Sequence, residues 1–366
     1  MKKIFVLCIV QTLLCATCIA QTPNEKTDRY LITQMKQRQI PGLQIAVIKG
    51  TRVVFSASKG VADVAFNIPV SDSTIFSINS ISKIFAGVAL MQLVEEGKVQ
   101  LDDPIGRHVD SLPQSWRSIT LKQLMGHVSG LPDVEDDRTG GLIGGRGEDS
   151  AWKLVQRLPL LAKPGETFNY MATNYLLIQK VIEKYSRLPY EKWIHQNQFQ
   201  PVDMKHTIFA NSEEVVSNKA PSYCYYFLDP VSGEYHLGEK LLQLHEDFPL
   251  MMRTDAGIFS TVEEMARWVI ALREGRLLKN PESLETLWAP VKLNNGKTEG
   301  FGGIFTGFSL GWSVIGRREH PGVVGIGGGR AAVVVYPKDD IAIIILTNLS
   351  GCAPEEMADT IAKYYL

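Results

Sequence analysis

From Ile84 to Val94 the chain reads IFAGVALMQLV, with Gln92 as its only polar residue. A helix of that composition presents apolar side chains in every direction, so it has to be buried all round and the rest of the chain must cover it. Glu95, Glu96 and Gly97 mark its end. Just before it stands Ser80-Ile81-Ser82-Lys83, in which Lys83 is the only charge between Asp72 and Glu95. Serine and lysine three apart share one helix face, with Cβ atoms about 5–6 Å apart, so the amine reaches the hydroxyl. A serine hydroxyl needs a neighbour to take its proton, and a lysine does this when burial lowers its pKa. The helix offers that burial, and the free N–H groups of its first turn favour negative charge beside Ser80.

The four-residue pattern also occurs at Ser56-Lys59 and Ser150-Lys153. The first lies in the β-rich run TRVVFSASKG, where residues three apart point to opposite faces. The second opens a helix flanked by Glu148, Asp149 and Arg157, which keeps its lysine solvated. The plain alternative for Ser80 itself is a helix N-cap, with Lys83 snorkelling to water.

Residues 1–20 carry Lys2 and Lys3, an apolar run and a small-residue end at Ala20, which reads as a secretory signal cleaved after that residue. The expected location is therefore periplasmic or secreted, with no stable membrane span once the signal is gone. Lipid attachment at Cys18 is disfavoured by Cys15 three positions earlier, and the mature chain keeps Cys224 and Cys352, whose pairing stays open. A formal net charge of −1 without a basic run argues against nucleic acid as a partner. The seven histidines form no HExxH or close pair, so neither a metal nor a cofactor is indicated.

LQIAVIKG and RVVFSASKG around Lys49-Gly50-Thr51 read as a hairpin, as do GRAAVVVYP and IAIIILTN around Lys338-Asp339-Asp340. Strands at both ends with helices between predict an α/β chain of α+β type. Its mostly antiparallel sheet is completed by distant segments and flanked by helices, with a helical lobe inserted at roughly residues 100–250 of a single domain, 21–366. GGLIGGRG at 140–147 reads as a loop, either a surface linker or a lid. PEEMADTIAKYYL reads as an amphipathic helix.

Beyond Ser80-Ile81-Ser82-Lys83, several segments occur in a telling order: Pro41-Gly42, Leu101-Asp102-Asp103-Pro104, His127-Val128-Ser129-Gly130-Leu131-Pro132, Asn169-Tyr170, Asn174-Tyr175, Ala256-Gly257-Ile258-Phe259-Ser260-Thr261 and Leu346-Thr347-Asn348. Together they resemble the penicillin-recognising serine hydrolases, in the branch holding class C β-lactamases, D-alanyl-D-alanine carboxypeptidases and related esterases. The resemblance implies a β-lactamase/transpeptidase-like fold, an acyl-serine intermediate and a small-molecule or peptidoglycan-like substrate. It implies that Tyr170 shares the proton load with Lys83. Where the family has Tyr-x-Asn, this chain has Tyr170-Met171-Ala172, which removes an amide from the substrate side. Where the family has a cationic or polar first residue on a strand lining the site, this chain has Ile326-Gly327-Gly328. The resemblance puts one oxyanion-hole amide at Gly329, beside that of Ser80. Arg330 is the candidate for the missing charge toward a substrate carboxylate, or else a solvated strand-end arginine. These departures lean toward esters or small amides, and they leave room for a binding protein that has lost turnover.

Gly307-Phe308-Ser309-Leu310-Gly311 matches a Gly-x-Ser-x-Gly nucleophile elbow. That motif needs a following helix and an acid and histidine in order. Here WSVIG follows, a strand pattern, and His320 is the only later histidine.

Overall fold

A computed structural model describes residues 21–136, 140–229 and 232–366. The expected signal segment, residues 1–20, lies outside them. At the centre is the strand Ile341–Thr347, all of it buried, paired antiparallel with Ala331–Tyr336 on one side and Gly42–Lys49 on the other. Ile341, Ile343 and Ile345 enter one core with Leu31, Met357 and Ile361, which belong to the terminal helices Pro23–Gln37 and Pro354–Ala362. Ala342, Ile344 and Leu346 enter a second core on the other face, with Ile84 and Val88. Both faces are dry, so the run is apolar without alternation.

The full sheet has eight strands, each antiparallel to its neighbours. Their order is Phe305–Phe308, Ser313–Ile315, Gly322–Gly327, Ala331–Tyr336, Ile341–Thr347, Gly42–Lys49, Arg52–Asp63 and Ile68–Pro69. Both expected hairpins form, with Lys49 opposite Arg52 and Tyr336 opposite Ile341. The sheet thus joins segments about 300 residues apart, and helices including Ala172–Ser186 and Val262–Arg273 lie between them in sequence. The Gly140–Gly147 region borders a depression shared with Asn211 and Asp247. Cys224 and Cys352 are both free thiols. No helix among the described residues is long and apolar enough to cross a membrane.

The helix Ser82–Glu95 runs through the second core with Ser82 to Met91 buried without a break, and Gly97 (φ +68°) ends it. Its close partner is the turn Ser309–Trp312. A Cβ on Gly87 would lie 2.2 Å from the Leu310 carbonyl oxygen, and one on Gly311 would lie 2.4 Å from that of Lys83. Gly311 also holds φ at +95°, where a side chain is strained. The turn therefore wedges the start of the helix, and Ser309, wholly buried with its hydroxyl near the Trp312 carbonyl, is part of that wedge and no elbow.

Two effects oppose each other in Gly87→Ala. Helix propensity favours alanine by about 1 kcal/mol, whereas overpacking against backbone costs about 1–3 kcal/mol. At a 2.2 Å approach the clash wins, and urea unfolding should show net destabilisation. A more stable variant would mean that the helix is not held by this turn.

Candidate active site

Ser80 sits in a single 3-10 turn, Asn79–Ile81, that leads directly into the helix Ser82–Glu95. Lys83 is 1% exposed, and its amine donates to Ser80 Oγ at 3.3 Å, so the spacing does bring nucleophile and amine together. Asn79 adopts φ +47°, a left-handed conformation that asparagine tolerates better than most residues. Its Oδ1 accepts from the Ser80 backbone N–H at 2.8 Å and from the Ser80 hydroxyl at 3.2 Å. In the resting site, then, the amide expected to stabilise an oxyanion already has a partner.

Asp255 is the residue that sequence reasoning missed. Its Oδ1 lies 2.5 Å from Lys83 Nζ, and its main-chain carbonyl lies at 3.4 Å. Burial pushes the amine down, but the Asp255 carboxylate and Tyr170 push it up and prevail, so Lys83 is held above its ordinary value. The expectation of a lysine made neutral by burial is corrected: the Asp255 carboxylate beside it favours the charged form. The clue in the sequence was position alone, since Asp255 immediately precedes the Ala256–Thr261 segment.

Tyr170 completes the cluster, its ring 4.6 Å from Lys83 Nζ and its phenol interacting with both Lys83 and Ser80. Burial raises the phenol's pKa while Lys83 partly offsets this, so the group is a neutral phenol at rest. His127 fixes the ring's position, packing against it at 4.3 Å between centroids and stacking on Tyr175 at 5.0 Å. The Nδ1 of His127 accepts from the Met171 N–H at 3.1 Å and faces Asn174 Nδ2 at 3.0 Å. Burial and the Lys83 charge keep this imidazole neutral, well below its usual value.

The turn Gly327–Arg330 borders the other side. Gly328 (φ +55°) and Gly329 (φ +61°) are its central residues, and the Arg330 N–H donates to the Gly327 carbonyl at 3.0 Å. Two successive left-handed residues make a type I′ turn, which favours glycine. Gly327 has a further constraint, because a Cβ there would lie 1.9 Å from the Ile78 carbonyl oxygen. Within the strand Gly322–Gly327, the neighbouring strand Ser313–Ile315 pairs with Gly322, Val323 and Val324. Gly325–Gly327 extends past it, so the strand has an open flank beside the nucleophile.

A cavity of about 330 Å³ joins Ser80, Lys83, Tyr170, Ile326 and Gly328. Gly329 adjoins it, with its carbonyl accepting from the Cys352 N–H. Ala172 and Arg330 do not belong to this group. Ala172 is the first residue of the helix Ala172–Ser186 and packs its methyl into the core at 4% exposure, away from substrate. Arg330 is 1% exposed, pairs with Glu246 at 2.5 Å and donates to Ser77 and Ser350 at 3.2 Å each. Neither a solvated arginine nor a free anchor for a carboxylate, it braces Glu246, which accepts from the Asn79 amide at 3.1 Å.

Because Lys83 is raised and Tyr170 is raised, the cluster loses its first proton on the alkaline side, and kcat/KM should climb with pH there. The ion pair's contribution to stability has the matching sign: it is full below the ordinary lysine value and is lost as pH rises through the elevated one. In Asp255→Asn burial meets less opposition, so the rate limb should move at least about one unit toward acid. A pH–rate profile unchanged by that substitution would remove Lys83 from the titrating cluster.

A family model described as Beta-lactamase matches residues 27–365. Protein flp of Staphylococcus aureus (strain N315) is 24% identical over 343 residues, covering 92% of this chain and 65% of that protein. Penicillin-binding protein 4* of Bacillus subtilis (strain 168) is 26% identical over 302 residues, covering 80% and 64%. The chain thus spans a little under two thirds of the length of these curated relatives. Among solved structures, the octameric penicillin-binding protein homologue from Pyrococcus abyssi is similar with a TM-score of 0.76 and 26% identity, over 91% of this chain and 75% of that one. A penicillin binding protein from Bacillus halodurans shares the fold at a TM-score of 0.71 and 24% identity, over 91% and 98%. With a match that runs from residue 27 to residue 365 and takes in Ser80, Lys83 and Tyr170, the chain belongs to the beta-lactamase family.

Proposed function

We propose that the protein is a secreted serine hydrolase that cleaves ester or small amide bonds through an acyl-Ser80 intermediate. The observation that carries this reading is the contact of Ser80 Oγ with the Lys83 amine, 3.3 Å apart at a cavity that Tyr170 also lines. In the fraction of enzyme that has lost one proton from the Lys83–Tyr170 pair, Ser80 Oγ attacks the substrate carbonyl carbon and its proton passes to that pair. The same proton goes to the leaving oxygen or nitrogen as its bond to carbon breaks. Water then attacks the acyl-serine ester, giving a proton to the pair, and the proton returns to Ser80 as the acid departs.

The substrate's carbonyl oxygen has to replace Asn79 Oδ1 at the Ser80 N–H before that amide stabilises an oxyanion. This occupied amide also favours a second reading, a binding protein without turnover. Ester preference rests on the cavity walls. Phe301, Phe305, Phe308, Val324 and Ile326 line it, and Lys83, its one cationic lining residue among the described residues, is committed to Asp255. A substrate carboxylate left without a partner there costs about 1–3 kcal/mol, which is roughly tenfold to hundredfold in kcat/KM.

Protein lacking the signal should gain the mass of a fluorophosphonate probe on Ser80, and Ser80→Ala should gain none. A short-chain p-nitrophenyl ester should be turned over with higher kcat/KM than nitrocefin or a D-Ala-D-Ala peptide. Absence of any adduct would leave the binding-protein reading standing, and faster turnover of nitrocefin would refute the ester preference.

A further inference from the structure

Two charged side chains line the cavity among the described residues, Lys83 and Glu355. The first is neutralised by Asp255. Glu355 lies in the first turn of the C-terminal helix Pro354–Ala362, and one of its carboxylate oxygens, Oε2, is shielded from solvent with no hydrogen-bond partner. The nearby guanidinium of Arg38 is engaged elsewhere, with Glu356 at 3.1 Å and the Cys352 carbonyl at 2.7 Å. Burial raises the pKa of Glu355 above the usual carboxylate range. A helix N-terminus accounts for an acidic residue in this turn, and Glu356 beside it, exposed and paired with Arg38, fits that role. It does not account for a carboxylate that lines the catalytic cavity with one shielded oxygen unsatisfied, because such a group costs free energy until a cation or donor meets it.

The surrounding walls favour a cation as well. Phe301, Phe305 and Phe308 line the same cavity, and aromatic faces attract ammonium groups. We propose that Glu355 is a specificity residue that receives an ammonium group at the far end of the substrate's acyl chain, so that preferred substrates are esters or amides of amine-bearing acids. This deepens the hydrolase reading and rests on it.

The test compares p-nitrophenyl esters of 6-aminohexanoate and 8-aminooctanoate with the matched heptanoate and nonanoate, in which a methyl replaces the ammonium. Wild type should prefer at least one amino ester over its neutral partner by about tenfold or more in kcat/KM. Glu355→Gln should abolish the preference, read within each variant as the ratio of kcat/KM for the amino ester over its neutral partner, and Glu355→Asp should retain part of it. Thermal melting of each variant identifies any that fail to fold. A wild-type preference for the neutral esters, or an undiminished amine preference in Glu355→Gln, overturns the proposal. If none of the esters is turned over, the hydrolase reading fails separately. Calorimetry of hexylammonium against hexanol, on wild type and Glu355→Gln, then decides the role of Glu355 by itself: equal binding of the two by wild type, or a preference that survives in Glu355→Gln, overturns it.

Discussion

An ammonium and a carboxylate 2.5 Å apart at the foot of an apolar helix set the terms for everything around them. Removing two such charges from water is costly, and their attraction compensates only when the geometry is held. The segment that carries Asp255 is accordingly pinned by the two residues before it. Arg253 pairs with Glu191 at 2.9 Å and donates to the Ala210 carbonyl at 3.2 Å, and the Thr254 hydroxyl donates to the Tyr175 carbonyl at 2.9 Å. On the lysine's side, the Gly311 turn presses on its own carbonyl. The pair is thus the joint at which the buried helix, the helix Ala172–Ser186 and the sheet are brought into register.

The second layer does for Tyr170 what that segment does for Lys83. The Ser129 hydroxyl donates to Asn174 Oδ1 at 2.5 Å, Asn174 faces His127, and His127 packs on the tyrosine ring. Each of these lies in a segment whose order along the chain was informative before any contact was known. Together they hold a phenol in place through a chain of buried hydrogen bonds that ends on the His127 ring.

What could be read from the sequence was what is local or periodic. Ser80 and Lys83 are three residues apart, and a lone lysine in an apolar run stands out. Ile341–Thr347 reads as a strand because both of its faces are dry. Asp255 could not be read, since it reaches Lys83 from 172 residues away in a stretch without periodicity. Arg330 was misjudged for a related reason: a sequence displays charge but not burial, and Glu246, 84 residues away, neutralises it. Ala172 was assigned to the substrate side because it stands at the asparagine position of the family's Tyr-x-Asn motif, whereas the intervening Met171 is an extended N-cap that turns the next residue into the core. Glu355 looked like one more polar residue on an amphipathic helix, because nothing in that pattern tells which acidic residue turns toward the cavity.

The pairing of Gly42–Lys49 with Ile341–Thr347 has a consequence for the order of events in the life of the chain. Closing a loop of about 300 residues is entropically unfavourable, and ladders of such high contact order form late. The sheet cannot close until the last strand has been synthesised. Until then the Gly325–Gly327 flank and the Ser80 turn have no fixed relation to each other. The cavity that lies between them is therefore a late product of folding, formed only after the long-range ladder has closed.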